Sequence, residues 1–205
     1  MRRSALVFTA LTVAFFGLHV LAADEKNAID DEGFIKTWLL LAPIPLEENQ
    51  SGADGLGKEQ IKGEANLRPK EGDKVKAGNT ELAWRKHQAK EHFFDFNAFL
   101  DKQVEDSVGY AVCYLVSDKD LADVKMKTGS DDQCKVWING KLVLTQDQAR
   151  PLEKDQDTTD VALKKGINTI VFKVVNEKVD WSGCVRFTDK DGNNLRNFKV
   201  QLSPN

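Results

Sequence analysis

Two tryptophans and a few aspartates are the residues of this chain best suited to hold a ligand. Trp181 follows Asp180 in the run Asp180-Trp-Ser-Gly183, and Trp137 lies within Cys134-Lys-Val-Trp-Ile138. An aromatic ring offers a flat apolar surface to the C–H face of a sugar, while a neighbouring carboxylate accepts hydrogen bonds from its hydroxyls. Trp181 is thus either a ligand platform or a plug at the rim of a core, and the sequence leaves both open. Asp131 and Asp132, immediately before a strand, could present carboxylates to sugar hydroxyls or to Ca²⁺. The same residue types also hydrogen-bond their own backbone to shape a turn. Asp155 and Asp157, in Asp155-Gln-Asp157-Thr-Thr-Asp160, place oxygen ligands at alternate positions, as does Asp189-Lys-Asp191-Gly-Asn193. Neither run completes an EF-hand loop, because no Glu stands at the twelfth position, so a structural Ca²⁺ at Asp155 and Asp157 competes with an ordinary solvated loop.

Catalytic constellations are harder to assemble. His19 falls in an apolar N-terminal run, and His87 and His92 have no neighbouring Ser or Cys nucleophile, which argues against a triad. Cys113, Cys134 and Cys184 form no CxxC pair and match no zinc spacing. A carboxylate pair for glycoside hydrolysis needs a deep cleft, whereas this chain is consumed in making one sandwich. The expectation is therefore a protein that is not an enzyme and that carries no cofactor beyond the candidate Ca²⁺.

The elements that must position these residues centre on Thr128 to Thr145. Cys134, Val136 and Ile138 alternate with Lys135, Trp137 and Asn139 at the two-residue period of a pleated strand, and Asn139-Gly140 tolerates the positive φ of a two-residue hairpin. Ser107 to Ser117 is apolar on both alternating faces, with Val108, Tyr110, Val112, Tyr114 and Val116 on one and Ala111, Cys113 and Leu115 on the other, which marks an interior strand. Phe34 to Pro45 reads as another strand buried on both faces and stopped by proline. Lys74–Lys76 and Thr80–Trp84 flank Ala77-Gly78-Asn79 as a hairpin, and His92 to Leu100 packs four phenylalanines that would plug one end of a core. A loop from Glu47 to Gly57 leads into one helical turn around Lys58 to Ile61, and a loop spans Gln146 to Asp160. Val161–Leu163, Asn168–Asn176, Cys184–Thr188 and Phe198–Leu202 supply further strands. Many short strands with regular turn signals predict an all-β antiparallel sandwich with little helix.

The chain of 205 residues is long enough to bury a core without staples, and 30% charged residues with a formal net charge of −3 indicate a water-soluble surface. Acidic and basic residues are interspersed, leaving no basic stripe for nucleic acid and no polybasic membrane patch. Arg2 and Arg3, the apolar run Ala5 to Leu21 and the small residues ending at Ala22 predict a secretory signal peptide over 1–22. Cleavage there would leave no membrane span; the alternative is a retained signal anchor. A polar leader over 23–33 would then precede a single domain over 34–205. Export sets an oxidising compartment, in which three cysteines permit at most one bridge; each lies in an apolar run and is read as a buried thiol.

The runs GSDDQCKVWINGKLVL and VALKKGINTIVFKVVNEKVDWSGCVRFTD resemble the galactose-binding-like jelly roll, and WLLLAPIP, FFDFNAFL and SVGYAVCYLV resemble its first and middle strands. The likeness spans roughly Phe34 to Leu202. It implies a module of the kind appended to secreted carbohydrate-active enzymes and common in exported proteins of planctomycete-type bacteria, with a structural Ca²⁺ bridging loops in related members. On this reading no catalytic domain is expected beside it. The functional expectation is a secreted, periplasmic or envelope-associated non-catalytic binding module, its partner a polysaccharide or other glycan met by Trp181, Asp180, Trp137, Asp131 and Asp132. The alternative is a structural or protein-interaction domain of the cell envelope without a sugar site.

Overall fold

A computed structural model describes residues 28–77 and 80–205. The expected signal peptide lies outside the described residues. Among those described, no helix is long and apolar enough to cross a membrane.

Two antiparallel sheets face each other. The larger joins β1 (Thr37–Pro45), β4 (Arg85–Gln88), β6 (Ser107–Ser117), β8 (Cys134–Ile138), β9 (Lys141–Gln146) and β11 (Gly166–Asn176) in the order β4-β1-β6-β11-β8-β9. A short β13 (Lys199–Gln201) pairs with β6 beyond the end of β1. The smaller sheet has the order β10-β7-β12-β5, from β10 (Asp157–Leu163), β7 (Leu121–Asp131), β12 (Ser182–Asp189) and β5 (Phe94–Asp95). From β6 onward the chain steps back and forth between the sheets, so the connections collect at the two ends of the sandwich. The all-β antiparallel sandwich expected from the sequence is the observed architecture.

Side-chain alternation decides which residues fill it. Trp38 and Leu40 of β1, Ala111, Cys113 and Leu115 of β6, Val136 of β8, and Ile170, Phe172 and Val174 of β11 point between the sheets. They meet Val124 and Met126 of β7 and Val185 and Phe187 of β12. The opposite faces of the same strands are apolar too, and a third layer accounts for that. Residues 46–84 fold over the outer face of the larger sheet, carrying α1 (Gly52–Gly57), a 3₁₀ turn (Glu64–Asn66) and the hairpin of β2 (Lys74–Ala77) with β3 (Thr80–Ala83). Leu56, Ile61, Ala77 and Trp84 from this cover bury Leu39, Leu41, Tyr110, Val112, Tyr114, Trp137, Val171 and Val175.

A polar clip holds the cover down. Lys173, 0% exposed, projects from β11 into it. Its ammonium donates to the carbonyls of Leu56 at 3.1 Å and Lys58 at 2.6 Å and meets Glu64 Oε2 at 3.2 Å. The Tyr110 hydroxyl donates to the same Glu64 carboxylate. Burial pushes Lys173 toward its neutral form, and Glu64 opposes that shift; burial, together with Glu64, drives the Tyr110 phenol upward, so it remains a donor.

Several local expectations shift. The helical turn expected at Lys58 to Ile61 forms instead at Gly52–Gly57, where Ser51 Oγ accepts from the Asp54 amide at 3.1 Å. The end of the expected leader belongs to the domain: Ala28 is buried, its carbonyl accepts from the Lys36 amide at 2.8 Å, and Ile29 bridges to Ile35. The loop expected up to Asp160 ends earlier, because β10 begins at Asp157 and pairs with β7. All three cysteines are free and buried, as expected.

The hairpin between β8 and β9 turns as its sequence requires, with φ of 52° at Asn139 and 81° at Gly140. Asn139 ties the turn to β11 by donating to Asn168 Oδ1 and accepting from the Thr169 amide, both at 2.9 Å. A Cβ at position 140 would stand 2.3 Å from Asn66 Oδ1. Gly140→Val should therefore destabilise the protein by more than about 1 kcal/mol, from backbone strain and the clash together. Denaturant unfolding checks this, and an unchanged midpoint would remove the turn assignment.

Candidate ligand cavity at one end of the sandwich

Three neighbouring strands of the smaller sheet bring polar side chains together at one end. Ser182 at the start of β12 stands opposite both Asp131, the last residue of β7, and Asp95 of β5. Cross-strand partners in an antiparallel ladder project to the same face, and Phe94, next to Asp95, points into the core. Asp95, Ser182 and Asp131 thus share the outer face. They line a cavity of about 280 Å³, completed by Asp180, Trp181, Phe93, Pro151 and Leu152. Its lining contains three carboxylates and no lysine or arginine. Asp95 also caps α2 (Phe96–Leu100), accepting from the Ala98 amide at 3.0 Å.

Asp131 is the most constrained of these acids. It is 8% exposed, and burial raises its carboxyl to about 7, with Asp132 and Asp180 adding to the shift and only the Leu152 amide opposing it. Asp132, the adjacent candidate, has a different task. Its two carboxylate oxygens accept from the backbone amides of Arg150 at 3.2 Å and Glu177 at 2.8 Å, fixing the crossover from β7 to β8. Its carboxyl is also raised by burial, against those amide bonds. The structure therefore brings Asp131 and Asp180 together in the cavity and leaves Asp132 outside its lining.

The tryptophans turn inward. Trp181 is 0% exposed; its ring lies 4.5 Å from that of Phe96 and its Nε1 donates to the Val174 carbonyl at 3.3 Å. Trp137, 6% exposed, is packed beneath the cover. Neither presents a face for stacking, which corrects the expectation that they meet a sugar directly. Trp181 instead closes the inner wall of the cavity. Phe93, half-buried beside it, is the aromatic that reaches the opening.

The candidate calcium ligands are also reassigned. Asp155 is ion-paired with Arg186 and with Lys127 at 3.5 Å, and Asp157 with Arg150. Burial alone would raise the Asp155 carboxyl, but Arg186 and Lys127 more than offset it and hold it below its ordinary range. Guanidinium groups thus occupy the oxygens a cation would need, and no cluster of three or more potential metal ligands occurs among the described residues.

At the other end, a depression of about 310 Å³ is lined by Asp118, Lys119, Asn194, Arg196 and Phe198 among others. Charges of both signs line it, and Arg196 is engaged with the Asp31 carbonyl at 3.2 Å. The acidic cavity lacks such internal compensation.

Asp131→Asn should therefore stabilise the protein, and more at about pH 8 than at about pH 4. In the unfolded chain this carboxyl ionises near its ordinary 3.8, whereas the folded protein retains the proton to about 7. Between those values the folded state binds more protons than the unfolded state, so wild-type stability falls as pH rises and levels off above the folded value. Solvent in the open cavity screens the effect, leaving an expected gain of about 1–3 kcal/mol at the higher pH. Paired urea titrations of wild type and variant measure it, and a difference that does not grow with pH would contradict the assignment.

No family model matches the chain, and no curated protein matches it.

Proposed function

We propose that this protein is an exported, non-catalytic binding module of the galactose-binding-like kind, and that the cavity between β7, β12 and β5 takes a carbohydrate. The observation that carries this reading is the pairing of acceptors with an apolar wall: Asp95, Asp131, Asp180 and Ser182 beside Phe93, Pro151 and Leu152. Carboxylates accept from sugar hydroxyls while Phe93 and Leu152 cover ring C–H groups. Export is supported by the basic, apolar and small-residue pattern of residues 1–22.

The test is binding of the purified protein to immobilised glycans of neutral, acidic and basic classes, followed by titration calorimetry on any that bind. Phe93→Ala is expected to weaken such a ligand at least about tenfold while the melting temperature changes little, because the ring is half-buried at the rim. Absence of binding across all three classes would overturn the proposal and favour a structural or protein-interaction domain of the cell envelope.

A further inference from the structure

Carboxylates that this fold withdraws from water are given partners from within it. Glu64 receives Lys173 and Tyr110, Asp155 receives Arg186 and Lys127, Asp157 receives Arg150, and Asp132 receives two backbone amides. Asp131 is the exception. It is as buried as Asp132, enters no ion pair among the described residues, and has the Leu152 amide as its one favourable neighbour. The charges that act on it are further carboxylates, Asp132 beside it and Asp180 before β12, while Asp95 of β5 lies in the same lining beyond Ser182. Withdrawing a carboxylate from water is costly unless a counter-charge meets it, and here the space where one would stand is the cavity itself. On this point the cavity differs from the depression at the far end, where Lys119 and Arg196 supply the positive charge internally.

Resting on the carbohydrate reading above, we infer that the cavity selects a glycan bearing a positive charge, an amino sugar with a free amine, whose ammonium sits against Asp131 with Asp180 and Asp95 around it. The volume of about 280 Å³ suits a compact charged group on a single ring rather than a long chain. Phe93, Pro151 and Leu152 cover the apolar face of that ring, and the acids hold the amine. A ligand ammonium gains a desolvated ion pair that a hydroxyl or an acetamide in the same place does not.

The test compares four soluble probes by calorimetry on the intact protein: the β-1,4-linked glucosamine tetramer, its fully N-acetylated counterpart, the matching glucose tetramer and a tetralysine peptide. The glucosamine tetramer is expected to bind at least about tenfold more tightly than either neutral tetramer, a difference that shrinks as salt is raised. Asp131→Asn should weaken the glucosamine tetramer by a larger factor than either neutral tetramer and so remove most of that preference; Asp180→Asn, at an exposed position, should reduce the preference in part and serves if the first variant folds poorly. Equal or tighter binding of a neutral tetramer would overturn the charge selectivity while leaving the carbohydrate reading standing. Tighter binding of tetralysine would overturn it in favour of a basic peptide, and failure of every tetramer to bind would overturn the inference together with the reading on which it rests.

Discussion

Trp181→Ala is expected to lower stability by about 3–5 kcal/mol, the range for truncating a large aromatic in a close-packed core. The indole is fully enclosed, packs on Phe96, and belongs to a chain of edge contacts running through Phe94 to Trp38 and Phe172. Beneath it, a Cβ at Gly109 would stand 2.8 Å from the indole, so β6 has given up a side chain to admit the ring. Truncation leaves a void that these neighbours cannot fill and removes the donor serving the Val174 carbonyl. Chemical denaturation monitored by far-ultraviolet circular dichroism measures the loss. A cost below about 1 kcal/mol would show that the ring is not a core element.

Lys173→Met should be about as damaging, at roughly 3–5 kcal/mol, for an electrostatic reason. Removing the ammonium strands the Glu64 carboxylate under the cover with Tyr110 as its main donor, and it orphans the carbonyls of Leu56 and Lys58. The cost is that of an uncompensated buried charge rather than of the attraction lost. Adding Glu64→Leu to the same protein should therefore recover a large part of the loss, since a buried ion pair replaced by apolar groups of similar size is often close to neutral. A double variant no more stable than the single one would contradict the clip described above.

What the sequence discloses about this molecule depends on how local each determinant is. The two faces of β6 are legible because a strand's period is two and both sets are apolar; the Asn139-Gly140 turn is legible because the positive φ values are a property of those two residues. The reason both faces are apolar is not local. The cover over residues 46–84 is rich in glycine and charge; its hairpin is legible, but Leu56, Ile61 and Trp84 fall in it without a common period, so nothing local marks it as the roof of a sheet. In β7, Val124 and Met126 alternate with Lys125 and Lys127, but the three aspartates and one lysine from Asp118 to Asp123 obscure where the strand begins.

The candidate site divides in the same way. Asp131 and Asp180 are recognisable by residue type and neighbourhood, whereas Phe93, Asp95, Pro151 and Leu152 join them only through strand order and connections. An aspartate inside the aromatic run Phe93-Phe-Asp-Phe96 is the one local hint that was available. For Trp181 the run Asp180-Trp-Ser-Gly183 leaves platform and core plug open, and the structure shows the plug, with the ring on the core side as the chain enters β12. Between the calcium and loop readings of Asp155 and Asp157 the acidic run alone does not choose, because Arg186, which pairs with Asp155, stands on a different strand and is invisible to any reading of spacing within that run.

The cover leaves and rejoins the larger sheet at one edge, since β1 and β4, the strands that bracket it, are paired directly from Thr37 with Gln88 to Leu40 with Arg85. It is in topological terms a closed excursion, yet it cannot swing away by itself. Lifting it would expose Leu39, Leu41, Tyr110, Val112, Tyr114, Trp137, Val171 and Val175 to water at once, at a cost approaching that of losing the whole fold. The amides of β6 and β11, paired without interruption from Ser107 with Asn176 to Ser117 with Gly166 and roofed on both sides, consequently lack a partial opening through which to exchange with solvent. Their exchange reports global unfolding alone, while β9 and β10, at the free edges, exchange through local fraying.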